Sequence, residues 1–128
     1  MKTLQTTGII LFAHGSRDPQ WRLPFEAILQ SMRDQHSGPT ELAFLECMKP
    51  SLPDAIKAMA QIGIQHINII PVFLAVGSHV RKDLPGLLEE ARSAHPGLKI
   101  TSSAAIGEQI EIQQAIARFA LNTLNTGT

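Results

Sequence analysis

Residues 8–13 read Gly-Ile-Ile-Leu-Phe-Ala and are apolar at every position. A strand with one face in water alternates apolar and polar residues, so a run without alternation is typical of a central strand in a parallel sheet. After Asp18-Pro19, apolar residues recur at spacings of three and four, which predicts a helix packed by one face. These residues are Leu23, Phe25, Ile28, Leu29 and Met32. The first unit is therefore predicted to be a buried strand followed by a helix.

The same succession of strand and helix continues along the rest of the chain. A second strand is predicted over residues 41–46, and Ser51 with Asp54 predicts the start of a helix that Gly63 ends. The third strand, His66–Leu74, is rich in β-branched residues, and its Pro71 indicates a bulge or the approach to the strand end. The remaining predicted elements are a helix from about Leu84 to about Ser93, a strand over Leu98–Ser102, and a final helix carrying Ile110, Ile112, Ile116, Phe119 and Ala120.

Four successive strand–helix pairs predict one architecture. It is an α/β fold, a doubly wound, flavodoxin-like parallel sheet of four strands in the order 2-1-3-4, with helices on both faces. A length of 128 residues and a hydrophobic fraction of 44% suit a single domain, residues 1–128, around one core.

Charge and cysteine content exclude several classes of protein. Because 11 Lys+Arg balance 11 Asp+Glu, the basic face that nucleic-acid binding needs is not expected. Cys47 is the only cysteine, so neither an internal disulfide framework nor a cysteine-based zinc cluster can form. The apolar runs are too short to span a membrane, and residues 1–7 lack the apolar core of a secretory signal. We therefore expect a soluble, cytoplasmic protein without membrane partners.

The predicted strand order also predicts where a ligand binds. In such sheets the site lies beyond the carboxyl ends of the strands, where the strand order reverses, here over strands one and three. His14 follows strand one, His79 follows strand three, and Glu46 ends strand two beside strand one. Two imidazoles and one carboxylate, far apart in sequence, are thus predicted to meet at one rim.

This set of side chains suits two kinds of chemistry. Imidazole nitrogens and a carboxylate are ligands for Co, Ni, Fe or Zn, and one histidine can equally act as a general base near neutral pH. Gly15 and Gly77 allow the backbone to approach a large ligand closely. Arg17, and Arg81 or Lys82, can pair with carboxylates of a substrate.

Structural roles remain open for the same residues. His14 or His79 can be a loop residue bonded to backbone, and Glu46 can be a polar strand end. Structural or solvated roles are expected for the other histidines, and core packing for two aromatic residues and the cysteine. These residues are His36, His66 and His95, then Trp21, Phe25 and Cys47.

Three blocks of sequence resemble a known family. The first is residues 8–17, which end in His-Gly-Ser-Arg; the second is residues 44–46 followed by 50–52. The third and longest joins residues 70–74 to Gly77-Ser-His-Val-Arg-Lys-Asp-Leu-Pro85. In this order and at these separations, the blocks resemble the CbiX/SirB type of sirohydrochlorin chelatase in the class II chelatase family.

The resemblance implies a metal-inserting enzyme of the lyase class in cobalamin, sirohaem or another porphyrin-type pathway. Its substrates are sirohydrochlorin, a tetrapyrrole with eight carboxylates, and a divalent metal, expected to be Co²⁺ with Ni²⁺ and Fe²⁺ also suitable; no organic cofactor is expected. The resemblance implies that His14 and His79 bind the incoming metal with Glu46 beside it, and these three are the predicted catalytic residues. The predicted substrate-binding residues are Ser16, Arg17, Gly77, Ser78 and Arg81.

Larger members of this family hold the tetrapyrrole between two such halves. The chain resembles one half, so a homodimer is expected, since a planar macrocycle needs a cleft with two walls. Three other interpretations remain. The chain can be a metal or tetrapyrrole carrier without turnover or a purely structural module. It can also be a phosphatase-like α/β enzyme, although no Arg precedes His14 as a phosphohistidine turn requires.

Overall fold

The structure, a computed structural model, describes residues 7–126, with the side chains of Ser78, His79 and Thr126 outside the description. Its strands are β1 (Thr7–Ala13), β2 (Thr40–Phe44), β3 (His66–Pro71) and β4 (Lys99–Ser102). Its α-helices are α1 (Leu23–Arg33), α2 (Leu52–Gln61), α3 (Ser78–Ala94) and α4 (Ile110–Thr126). Two short 3-10 turns, Pro19–Arg22 and Ile106–Glu108, precede α1 and α4.

The four strands form one parallel sheet in the order β2-β1-β3-β4, with helices on both faces. The predicted fold class and strand order are therefore confirmed. In the register, Leu11 of β1 lies between Leu42 of β2 and Ile70 of β3. The carboxyl ends of β1 and β3 are neighbours at the point where the order reverses.

The two faces of the sheet are covered to different extents. Helices α2 and α3 cover the face that carries Ile10, Phe12 and Ile69, all of which are completely buried. On the opposite face, α1 and the turn before it cover β1 and β2, where Leu42 and Phe44 are buried. As predicted, Trp21 and Phe25 pack at this core, with ring centroids 4.5 Å apart.

Local signals in the sequence set several element ends as predicted. The Ser51 hydroxyl accepts a hydrogen bond from the Asp54 backbone N–H at 3.2 Å, which caps the start of α2. Gly63 follows that helix in a left-handed conformation with φ +91°. Strand β3 ends at Pro71, three residues before the predicted end at Leu74, and Pro71 thus marks the strand end that its lack of an N–H donor indicated.

Helix α3 is longer than predicted. It begins at Ser78 rather than near Leu84 and contains Pro85 in its interior. A proline there removes one helical hydrogen bond and costs about 3 kcal/mol. Val80 and Leu88 are buried on the side of the helix that packs against the sheet. Their burial, at about 1.5–3 kcal/mol per side chain, offsets the cost of the proline.

Helix α4 forms where it was predicted but is not packed against the sheet of its own chain. Among the described residues, its main contacts are with the 3-10 turn at Ile106–Glu108. Its apolar side chains are largely in water, including Phe119 at 72% exposed and Leu124 at 77%. The prediction of a helix is confirmed, whereas the burial that its pattern implies is not achieved within one chain.

Candidate active site

The carboxyl edge of the sheet carries the predicted site residues. His14 directly follows β1, and Glu46 lies two residues beyond β2. Past the strand ends the β1–β2 ladder continues: the Leu45 N–H donates to the Ala13 carbonyl at 2.9 Å, and the Glu46 N–H donates to the His14 carbonyl at 3.0 Å. Main-chain hydrogen bonds therefore place positions 14 and 46 side by side.

Gly15 permits this close approach. It adopts φ +98°, a conformation that residues with a side chain rarely adopt, and a Cβ atom there would collide with the Glu46 carbonyl. The close approach that Gly15 permits in the structure is to the loop after β2, and the approach of a large ligand at Gly15 stays a prediction. The space that the missing side chain leaves is filled by the loop after β2.

The side chains of His14 and Glu46 meet at this edge. His14 Nε2 lies 3.2 Å from Glu46 Oε2, and the two side chains are 49% and 55% exposed. An imidazole and a carboxylate at this distance can share a proton or both ligate one cation. Because half of each side chain faces solvent, a substrate can reach either group. The predicted convergence of these two residues is therefore seen in the structure.

The third predicted ligand comes from the other side of the strand-order reversal. The backbone of His79 lies in the first turn of α3, directly beyond the loop that follows β3. Its side chain and that of Ser78 lie outside the described part of the structure. Among the side chains that are described, no group of three or more His, Cys, Asp or Glu residues could hold a metal ion. A His79 ligand thus stays a prediction.

The predicted substrate-binding residues differ in their surroundings. The Ser16 hydroxyl accepts a hydrogen bond from the Asp18 N–H at 3.0 Å, which gives it a role in the turn after β1. Arg17 is exposed. Arg81 Nη2 donates to the Val76 carbonyl at 2.9 Å, so this guanidinium braces its own loop. Gly77 is the N-cap residue of α3, and a side chain there would meet no atom within 4 Å.

A groove that the sequence analysis did not anticipate opens beside this edge. It has a volume of about 510 Å³ and runs between the start of α2 and helix α3. Leu45 lies on its wall next to Glu46 in sequence, and Lys82 and Asp83 contribute charged groups. Lys82 and Gly86 share one face of α3 by their i, i+4 spacing, but Lys82 lies before the helix start predicted near Leu84, so the sequence analysis could not place them together.

The other singled-out residues take structural or solvent-exposed positions. His36 Nε2 lies 3.3 Å from the Thr7 carbonyl, and His66 Nε2 lies 2.9 Å from Thr101 Oγ1. The structural roles expected for these two histidines are confirmed. The expectation that Cys47 is buried is wrong: it is exposed in the turn after Glu46, with a left-handed φ of +67°.

Comparisons with known proteins identify the family. The CbiX family model matches residues 8–122. The chain belongs to the CbiX family. None of the helices within residues 7–126 of this CbiX chain is both long and apolar enough to span a membrane.

Curated relatives of this CbiX chain carry chelatase names. The sirohydrochlorin cobaltochelatase of Sulfurisphaera tokodaii is 28% identical over 124 residues, which cover 94% of this chain and 97% of that protein. The sirohydrochlorin cobaltochelatase of Methanothermobacter thermautotrophicus is 36% identical over 81 residues, which cover 63% of this chain. The match spans only 57% of that relative's length. The sirohydrochlorin ferrochelatase of Bacillus subtilis is 28% identical over 109 residues, which span 42% of its length.

Solved structures share the fold. A cobalamin (vitamin B12) biosynthesis CbiX protein from Marinobacter aquaeolei VT8 superposes with a TM-score of 0.84 at 30% identity. The match covers 94% of this chain and 98% of that one. The sirohydrochlorin chelatase SirB from Bacillus subtilis subspecies spizizenii, solved with cobalt, superposes with a TM-score of 0.76 at 26% identity. That match covers 91% of this chain but 50% of SirB.

Proposed function

We propose that this chain inserts a divalent metal, Co²⁺, into sirohydrochlorin. The observation that carries the proposal is the His14–Glu46 pair, with 3.2 Å between Nε2 and Oε2 and both side chains half exposed. The pair lies at the edge of the sheet where the strand order reverses, which is where ligands bind in such folds. The names of the relatives that match most of the chain support the choice of substrate and metal.

The reaction exchanges one metal ion for two protons. Co²⁺ enters the plane of the four pyrrole nitrogens, and the two N–H groups each lose a proton, so the ring nitrogens become ligands. In the proposal His14, His79 and Glu46 hold the incoming metal, and one of them accepts the protons as ligands are exchanged. The cleft bends the ring so that nitrogen lone pairs turn towards the waiting metal. Holding both substrates replaces a slow encounter by a positioned one.

The carboxylates of the tetrapyrrole need cations and N–H donors. We assign this role to Ser16, Arg17, Gly77, Ser78 and Arg81. The exposed guanidinium of Arg17 is suited to a bidentate contact with a carboxylate. Gly77 is suited to carboxylate binding because the space at its Cα is open. A ligand can therefore approach the N–H groups at the start of α3. Arg81 keeps N–H groups beyond the one bonded to Val76.

The proposed cleft has two walls and therefore two copies of the chain. Residues 1–128 are proposed to be one chelatase half, which is consistent with a match to 50% of SirB. In a two-fold homodimer the same edge of a second copy supplies the opposite wall.

An absorbance time course tests the function. The purified chain is mixed with sirohydrochlorin and Co²⁺, then with Ni²⁺ and with Fe²⁺ under anaerobic conditions, each against a protein-free control. We expect the spectral change of metal insertion to be accelerated by the wild-type chain and by His95→Ala, but not by His14→Ala. His95 is the matched control because it lies at the far end of α3.

The other outcomes are equally informative. A bound tetrapyrrole with an unchanged spectrum would make the chain a carrier. Insertion by His14→Ala at the wild-type rate would remove His14 from the metal site. A faster reaction with Fe²⁺ or Ni²⁺ than with Co²⁺ would support the chelatase function and change the proposed metal.

A further inference from the structure

Helix α4 has an unusually narrow polar stripe. Its exposed-face polar residues recur at spacings of three and four and thus form one line along the helix: Glu111, Gln114, Arg118, Asn122 and Asn125. Gln113 lies off this line, but its amide donates to the Gly107 carbonyl at 2.9 Å. Most of the remaining surface of the helix is apolar, as in helices that are buried on more than one side.

The start of α4 is fixed to the body of the chain. In the 3-10 turn before it, the Gly107 N–H donates to the Phe73 carbonyl at 3.0 Å. A side chain at Gly107 would collide with the Leu74 carbonyl, so this turn packs tightly on the loop after β3. The helix therefore departs from the carboxyl edge of the sheet, next to the candidate site, with its apolar surface uncovered.

The sheet of the same chain has an uncovered strip that such a helix can fill. On the face that α1 covers over β1 and β2, the residues towards β3 and β4 are only partly buried. We call this the β3/β4 strip, and its register-matched members are Ile9, His66, Asn68, Ile70 and Thr101. No described helix packs extensively on it.

Three polar side chains of the β3/β4 strip are hydrogen-bonded to one another. His66 Nε2 lies 2.9 Å from Thr101 Oγ1, and the Thr101 hydroxyl donates to Asn68 Oδ1 at 3.2 Å. Covering the strip with an apolar helix therefore leaves His66 Nε2, the Thr101 hydroxyl and Asn68 Oδ1 with partners, which lowers the penalty for burying polar groups. Ile9 and Ile70 on either side offer the apolar contact.

We propose that α4 is exchanged between two copies of this chain, with the helix of each copy packed on the β3/β4 strip of the other. A helix of 17 residues is about 25 Å long, enough to cross a four-stranded sheet spaced at about 4.8 Å. Burying about six apolar side chains from each copy removes on the order of 1,000 Å² from water, and polar neighbours bring the total into the range of stable interfaces. The inference deepens the proposed function, because it specifies how the second wall is joined.

The mass of the particle in solution tests whether α4 holds two copies together. We expect light scattering after size-exclusion chromatography to give two chains for the wild type and for Gln114→Asp, and one chain for Ile116→Asp. Gln114 lies on the polar stripe and Ile116 on the apolar surface, so the matched control introduces the same charge on the same helix. A wild-type monomer, or a dimer of Ile116→Asp, overturns the proposal.

Cross-linking between two tagged chains tests where α4 binds. Both chains carry Cys47→Ser; one adds Ile116→Cys and the other Thr101→Cys, and a short bis-maleimide is applied after mixing. We expect a linked pair that contains both tags, and much less of it when Gln114→Cys replaces Ile116→Cys. Pairs formed by the Ile116→Cys chain alone would mean that two α4 helices pair with each other. A third variant carries both Ile116→Cys and Thr101→Cys on one chain. A link within a monomer of this variant would mean that α4 folds back onto the β3/β4 strip of its own chain. Either result overturns the exchange.

Failure of the exchange and failure of the chelatase are separable in these experiments. An exchanged dimer that does not insert Co²⁺ would reject the proposed function and leave the exchange standing. Insertion of Co²⁺ by a wild-type monomer would reject the exchange and leave the proposed function standing.

Discussion

The Cα of Gly15 lies so close to the Glu46 carbonyl that a methyl group there would overlap the oxygen. Two loops, one after β1 and one after β2, are joined at this contact by the hydrogen bond from the Glu46 N–H to the His14 carbonyl. The distance between the His14 and Glu46 side chains therefore depends on a residue that has no side chain.

Gly15→Ala is expected to damage both the site and the fold. The left-handed backbone costs roughly 1–2 kcal/mol for a residue with a Cβ, and the loop after β2 must also move. Urea denaturation should show the loss of stability, and Co²⁺ insertion should fall further than the loss of folded protein explains. Gly97→Ala is the control, because an added methyl group there would meet no atom within 4 Å, and it should leave insertion unchanged. Normal insertion by Gly15→Ala would separate this contact from the activity.

Glu46→Gln removes a charge while keeping the size of the side chain. If Glu46 ligates the metal or accepts a pyrrole proton, the kcat of insertion should fall by about 100-fold, the low end of the general-base range. Glu41→Gln is the control, since this exposed carboxylate near the start of β2 pairs with Arg33 at 3.3 Å, far from the carboxyl edge. Equal rates for the two variants would assign Glu46 a purely structural place at the strand end.

Arg17→Ala tests the anchoring of the tetrapyrrole. Loss of one charge-assisted hydrogen-bonded contact is expected to raise the KM for sirohydrochlorin by about 10-fold with little change in kcat. Arg17→Lys should recover part of the loss, because an ammonium supplies the charge without the bidentate geometry. A decrease confined to kcat would contradict an anchoring role.

Thr40→Val is expected to stabilise the fold. Among residues 7–126, the buried Thr40 hydroxyl has no hydrogen-bond partner, although the side chain is only 2% exposed. Replacing the hydroxyl by a methyl group of similar size should raise the free energy of unfolding by about 1 kcal/mol in urea denaturation. Thr40→Ala should instead lower it, because a cavity is left. Destabilisation by the valine would show that the hydroxyl is solvated in solution.

Sequence patterns predicted the strands because an unalternating run such as residues 8–13 is typical of a strand buried in the middle of a sheet, and the succession of strands and helices then favoured the observed order. They failed at the start of α3, because a proline is normally found in the first turn of a helix, and Pro85 therefore suits a helix that begins near Leu84. Burial of Val80 and Leu88 outweighs that local preference, and burial is a property of the assembled chain.

The candidate site was predicted in part for a similar reason. Strand order alone brings His14 and Glu46 to one edge, so their meeting could be inferred from topology. The partner of Gly15 could not, because a glycine in a sequence does not reveal what lies opposite its Cα. Helix α4 was predicted but its exposure was not, because an amphipathic pattern predicts that a face is covered without identifying the chain that covers it.

The β1–β2 ladder continues beyond Ala13, where it sets the spacing of the two proposed metal ligands. Positions 14 and 46 are held by carbonyl and N–H groups, which every residue but proline possesses. Substituting either side chain therefore alters the donor atoms offered to a cation without dismantling the frame that spaces them. If His14 and Glu46 ligate the metal as proposed, selectivity among cobalt, nickel and iron can be changed by exchanging single side chains on an unchanged backbone.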